Sequence, residues 1–67
     1  MNEPATRDPD ATRARILDAA LAQFVDHGFA KVSMREIAEQ SGVTKSLIHH
    51  HFGSKQQLWD AAKDHAL

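Results

Sequence analysis

Apolar residues recur along the first third of the chain at the spacing of an amphipathic helix. Between residues 16 and 25 they come in adjacent pairs four residues apart, which places them on one stripe of a 3.6-residue period. We therefore predict a first helix over about residues 10–27, with Asp10 as its N-cap and Gly28 as a left-handed C-cap. The predicted buried stripe consists of Ile16, Leu17, Ala20, Leu21, Phe24 and Val25.

A second, shorter helix is predicted over residues 33–41 from its capping chemistry. Ser33 is followed three residues later by Glu36, the spacing of a capping box in which each side chain bonds the other residue's backbone N–H. Gly42 then ends the helix. The predicted buried face consists of Met34, Ile37 and Ala38.

The third predicted helix, residues 44–51, combines a small apolar face with a polar outer face. Thr44 is a suitable N-cap, and the i, i+4 pair Ile48 and Phe52 is predicted to face the core with Val43. A helix this short must pack against others to form. Leu47 is predicted at the boundary, and the outward set is Lys45, Ser46, His49 and His50.

A fourth helix is predicted over residues 54–67. Ser54 and Gln57 form a second capping box, and Trp59 is predicted to be a partly buried anchor. Neither Gly nor Pro ends this helix, so we expect it to continue past the last residue given. Its predicted buried residues are Leu58, Ala61, Ala62 and Leu67.

These elements predict an all-α fold with one domain over residues 10–67. Three helices form a small bundle, followed by the start of a fourth, connecting helix. Helices two and three, joined by a short turn at Gly42, have the outline of a helix-turn-helix, whose second helix enters the major groove of DNA. Residues 1–9, with two prolines and no apolar period, are predicted to be a disordered arm.

Composition argues against an enzyme and against a membrane protein. The 67 residues contain no cysteine, no glycine-rich phosphate loop and no nucleophile elbow, so we expect neither catalysis nor a cofactor. No secretion signal and no apolar run of about 20 residues is present, so a cytoplasmic protein without a membrane partner is expected.

Charge and histidine placement favour an anionic partner over a metal ion. The net charge is −1, yet residues 31–55 carry four basic residues against two acidic ones. Such a local basic surface suits phosphate contact. His49, His50 and His51 are adjacent, and because successive helical side chains diverge by about 100°, they cannot converge on one ion. No metal site is therefore predicted, and His51 is expected to lie partly buried beside Phe52.

Several short segments, taken in order, resemble the TetR-type bacterial transcriptional repressors over about residues 12–62. The resemblance implies a DNA-binding domain in which helices two and three form the helix-turn-helix. It also implies a larger C-terminal helical domain, absent here, that forms a homodimer and binds a small-molecule effector, so that the dimer reads a palindromic operator. The matching positions are Ile16-Leu17, Ala19-Ala20, Phe24, Gly28-Phe29, Ile37-Ala38, Ser41 to Lys45, Phe52 to Lys55 and Leu58.

The same resemblance assigns candidate contacts with double-stranded DNA. Those expected to face the bases are Arg35, Lys45, Ser46, Leu47, His49 and His50. Those expected at phosphates are Thr44, His51 and Lys55, together with Ser33, because exposed N–H groups at a helix start suit an anion. The family usually has tyrosine at the position of His49, and often at that of His51.

A second hypothesis shares the same helices and caps. The chain would then be a helical protein-interaction module whose polar third helix contacts a protein instead of DNA. The first hypothesis, a DNA-binding transcriptional regulator, is favoured by Lys45, Lys55 and the histidines together with the resemblance. The resemblance implies a repressor that an effector releases from DNA.

Overall fold

The computed structural model describes residues 9–67, and within that range the secondary structure is entirely helical. The elements are α1 (Pro9–His27), a 3₁₀ turn (Phe29–Lys31), α2 (Met34–Ser41), α3 (Lys45–Phe52) and α4 (Lys55–Ala66). The prediction of an all-α fold is confirmed. The predicted arm lies outside the described residues, except for Pro9, which is the first residue of α1.

Each helix contributes one large, completely buried side chain to the core. Ile16, Ile37, Ile48 and Leu58 have no solvent exposure, and they belong to α1, α2, α3 and α4 in turn. Burying a branched aliphatic side chain of this size contributes about 1.5–3 kcal/mol relative to leaving it exposed. All four helices therefore share one core, and α3 contributes least to it because Ile48 is its one buried residue.

Three of the four predicted N-caps are confirmed. Ser33, Thr44 and Ser54 are extended, and each side chain accepts the backbone N–H of the residue three positions later. The helices therefore begin one residue after the predicted starts. Asp10 as an N-cap is wrong, because it lies within the first turn of α1.

Two residues predicted to be buried are exposed. Val25 is 69% exposed, because it lies two and a half turns after Ile16, on the opposite side of α1. The paired repeat drifts around the helix, and its last member leaves the core stripe. Leu67 is fully exposed since it follows the last residue of α4. Within residues 9–67, no helix has the length and apolar content needed to span a bilayer.

Candidate nucleic-acid interface

The turn between α2 and α3 is three residues long and closed by backbone hydrogen bonds. Gly42 has a left-handed conformation, with φ 74° and ψ 26°, which a residue without a Cβ adopts at little cost. The N–H groups of Gly42 and Val43 both donate to the carbonyl of Ala38, at 2.9 and 3.1 Å. This turn ends α2 and leaves Thr44 extended to cap α3, so the helix-turn-helix geometry follows from the local sequence.

The outer face of α3 is continuous and polar. Each residue turns the helix by about 100°, so the exposed residues form one arc opposite the buried Ile48. Leu47 is half-buried at the edge of this arc, as predicted. The arc, called the α3 polar face from here on, consists of Lys45, Ser46, His49 and His50.

Arg35 lies on α2, outside the α3 polar face. Its guanidinium is within 3.8 Å of the Glu39 carboxylate one turn along, and both side chains are largely exposed. An exposed pair of this kind contributes little to stability. Arg35 is therefore accessible to a partner that offers a stronger anion.

Ser33 and Thr44 use their hydroxyl oxygens as acceptors in helix caps. The Ser33 oxygen accepts the N–H of Glu36, and the Thr44 oxygen accepts the N–H of Leu47, each at 3.1 Å. Both residues are exposed. Since a hydroxyl has one donor besides its lone pairs, each O–H remains able to donate to a phosphate oxygen while the cap is intact.

Lys55 occupies the first turn of α4 and lies against an aromatic pair. Its ammonium is 4.4 Å from the centre of the Phe29 ring, and Phe29 stacks on Phe24 with ring centres 5.7 Å apart. The sequence did not indicate this cation–π contact. Such a contact contributes about 0.5–1 kcal/mol at an exposed site, and it favours a lysine conformation that keeps the charge near the start of α4, where the residue is partly exposed.

His49 forms a hydrogen bond that defines which of its ring nitrogens carries a proton. Its Nδ1 lies 2.8 Å from the carbonyl oxygen of Gly53. A carbonyl only accepts, so Nδ1 must carry the hydrogen and donate. The outward Nε2 is then an acceptor when the imidazole is neutral, and becomes a donor only when the ring takes up a second proton.

His51 differs from the other two histidines of α3 because it is half-buried, as predicted. Its ring centre lies 6.0 Å from that of Phe52 and 5.5 Å from that of His50. Its backbone carbonyl, rather than its ring, receives a hydrogen bond from α1. In the part of the chain that the structure describes, no three His, Asp or Glu side chains are grouped so as to hold a metal ion.

Two arginines of α1 reach the carboxyl ends of α2 and α3, and the sequence reasoning missed both. The Arg15 guanidinium donates to the carbonyl of Ser41 at 2.9 Å, and that of Arg13 donates to the carbonyl of His51 at 3.3 Å. Arg13 also lies 4.5 Å from the centre of the Phe52 ring. Carbonyls in the last turn of a helix lack partners within it, so each arginine completes a helix end.

Comparison with known proteins identifies close relatives over this region. The family profile described as "Bacterial regulatory proteins, tetR family" matches residues 16–62, which include both helices of the helix-turn-helix. No solved structure matches the chain.

Three curated relatives carry names that describe regulators. The chain is 44% identical over 55 residues to the HTH-type transcriptional repressor SCO4008 of Streptomyces coelicolor, covering 82% of this chain and 29% of the relative. It is 51% identical over 59 residues to the HTH-type transcriptional regulatory protein RaaS of Mycobacterium tuberculosis, covering 87% and 27%. It is 42% identical over 50 residues to the HTH-type transcriptional activator FasR of Mycolicibacterium smegmatis, covering 75% and 23%. The chain thus spans less than a third of each relative's length.

Proposed function

Because this chain belongs to the tetR family of bacterial regulatory proteins, we propose that it is the sequence-specific DNA-binding part of a transcriptional regulator. The observation that carries the proposal is the family match over residues 16–62, which includes α2, the turn and α3. The α3 polar face supports it, since a helix with exposed polar side chains fits the major groove of double-stranded DNA.

In the proposed binding mode, α3 lies in the major groove and its flanks contact phosphates. The residues proposed to meet base edges are the α3 polar face, with Leu47 and Arg35 beside it: Lys45, Ser46, His49, His50, Leu47 and Arg35. Ser33, Thr44, His51 and Lys55 are proposed to contact the phosphate backbone and fix the register. Residues 31–55 contain more basic than acidic residues, and this excess supports the proposed phosphate contacts, because phosphate contact depends on local positive charge.

The whole protein is proposed to act as a cytoplasmic homodimer on a palindromic operator. Two such domains about 34–36 Å apart would each read one half-site. A small-molecule effector bound outside these residues would release the DNA by favouring a different spacing. Repression is the mode we propose; the relatives include proteins named as a repressor and as an activator.

The proposal is tested by selecting bound sequences from a random duplex library with this chain, at several salt concentrations. We expect one half-site sequence to be enriched, and affinity for it to fall steeply as salt rises because phosphate contacts release counterions. Enrichment of no sequence, with equal binding to all duplexes, would contradict sequence-specific recognition. A chain that binds no DNA at low salt would instead support the protein-interaction alternative.

A further inference from the structure

The orientation of α3 is held by few buried atoms. The helix is eight residues long, and Ile48 is its one fully buried residue, while Leu47 and Phe52 are half-buried. A short helix with so little burial is marginal unless other contacts hold it. Because groove recognition requires side chains placed to within about 0.5 Å and 10–20°, the contacts that fix the angle of α3 also affect what it reads.

Arg13 provides such a contact from α1. Its guanidinium donates to the carbonyl of His51 at 3.3 Å and lies over the Phe52 ring at 4.5 Å. One arginine thus touches both the backbone and a side chain in the last turn of α3. The planar guanidinium suits this double contact, since it stacks with its face while donating at its edge.

We propose that Arg13 is a positioning residue for DNA recognition, which holds the last turn of α3 against α1 and so sets the angle of the α3 polar face. This inference rests on the proposed function. Arg13 itself is not proposed to contact DNA. It acts through His51 and Phe52, and it affects discrimination between sequences more than the total attraction to phosphate.

Arg15 provides a matched control on the same helix. It makes the equivalent donation to Ser41, at the end of α2, and lies two residues from Arg13. Arg13→Met and Arg15→Met each remove one positive charge from α1, together with one hydrogen bond from α1 to the carboxyl end of another helix. Only the first substitution removes a contact to α3, so a difference between the two variants reports the positioning of that helix.

The experiment compares the wild-type chain with both variants on the duplex selected by wild type and on a scrambled duplex. For Arg13→Met we expect the ratio of the two affinities to fall about tenfold, the loss expected from a weakened base contact. For Arg15→Met we expect the ratio to stay within about twofold of wild type. Salt dependence should be the same in both variants, because neither arginine is assigned to a phosphate.

A second variant and a measurement without DNA extend the test. Arg13→Lys keeps the charge without the planar group, and we expect it to lower the ratio of affinities for the selected and scrambled duplexes as Arg13→Met does. Backbone amide NMR shifts should change along α3 in both Arg13 variants and along the end of α2 in Arg15→Met. Thermal melts followed by circular dichroism identify the temperature at which all variants are folded, and the assays are run there.

The outcomes separate this inference from the proposed function. An unchanged affinity ratio in both Arg13 variants, or an equal loss in Arg15→Met, would overturn the positioning role. A salt slope lowered by about one unit in Arg13→Met would also overturn it, because Arg13 would then be a phosphate contact. Equal affinity of the wild-type chain for both duplexes would overturn the proposed function, and this inference with it.

Discussion

The Arg15 guanidinium lies 2.9 Å from the carbonyl oxygen of Ser41 and so joins α1 to the carboxyl end of α2. Ser41 is buried, and its hydroxyl donates to the carbonyl of Ile37 at 2.7 Å. The Ser41 carbonyl belongs to the last residue of α2 and has no partner within that helix. A cation at this end also opposes the negative pole of the helix dipole.

Replacing Arg15 by Met is expected to lower the free energy of unfolding by about 1 kcal/mol, the usual contribution of one intramolecular hydrogen bond. Urea denaturation followed by circular dichroism measures it. Arg35→Met is the control, because it removes an arginine whose ion pair is exposed, and a change within about 0.5 kcal/mol is expected. Equal losses in both variants would show that the Ser41 contact contributes nothing of its own.

Arg15 also illustrates which contacts the sequence could predict. The caps at Ser33 and Ser54 were predicted because both partners of each capping box lie three residues apart in the chain. Arg13 and Arg15 bond to carbonyls 38 and 26 residues away. No local pattern indicates which helix end a distant arginine meets, since that depends on how the helices pack.

The α3 polar face, like the helix caps, could be predicted from local sequence. It follows from helical periodicity around Ile48. The details of its side chains could not be predicted. The bond from His49 to Gly53 and the contact of Lys55 with Phe29 both depend on where α4 begins after the turn at Gly53. Gly53 has φ 93°, a conformation that favours glycine, and it directs the chain from α3 into α4.

Ser33→Ala separates the capping role of Ser33 from its proposed phosphate contact. Loss of the cap should lower the free energy of unfolding by about 1 kcal/mol. Ser54→Ala is the matched control, since it removes an equivalent capping box at α4. If Ser33 also contacts a phosphate, only Ser33→Ala weakens DNA affinity under conditions in which both variants are folded. Equal DNA affinity of the two variants would remove Ser33 from the interface.

Lys45→Ala is expected to reduce discrimination between sequences. Lys45 is exposed in the first turn of α3, where recognition helices contact base edges. Loss of one good base contact costs about 1–3 kcal/mol against the preferred base pair. Repeating the duplex selection with the variant measures this. If the variant enriches the same sequence with the same preference at every position, Lys45 does not contact a base.

Lys55→Ala is expected to weaken binding to all duplexes alike and to lower the salt slope by about one unit. The reason is that Lys55 is proposed to contact a phosphate, which carries no sequence information. Lys63→Ala is the control, because Lys63 belongs to the same helix and lies over an aromatic ring in the same way, 5.0 Å from the centre of Trp59. A similar slope change in both variants would point to general charge loss, and affinity lost for one sequence alone would contradict a phosphate contact.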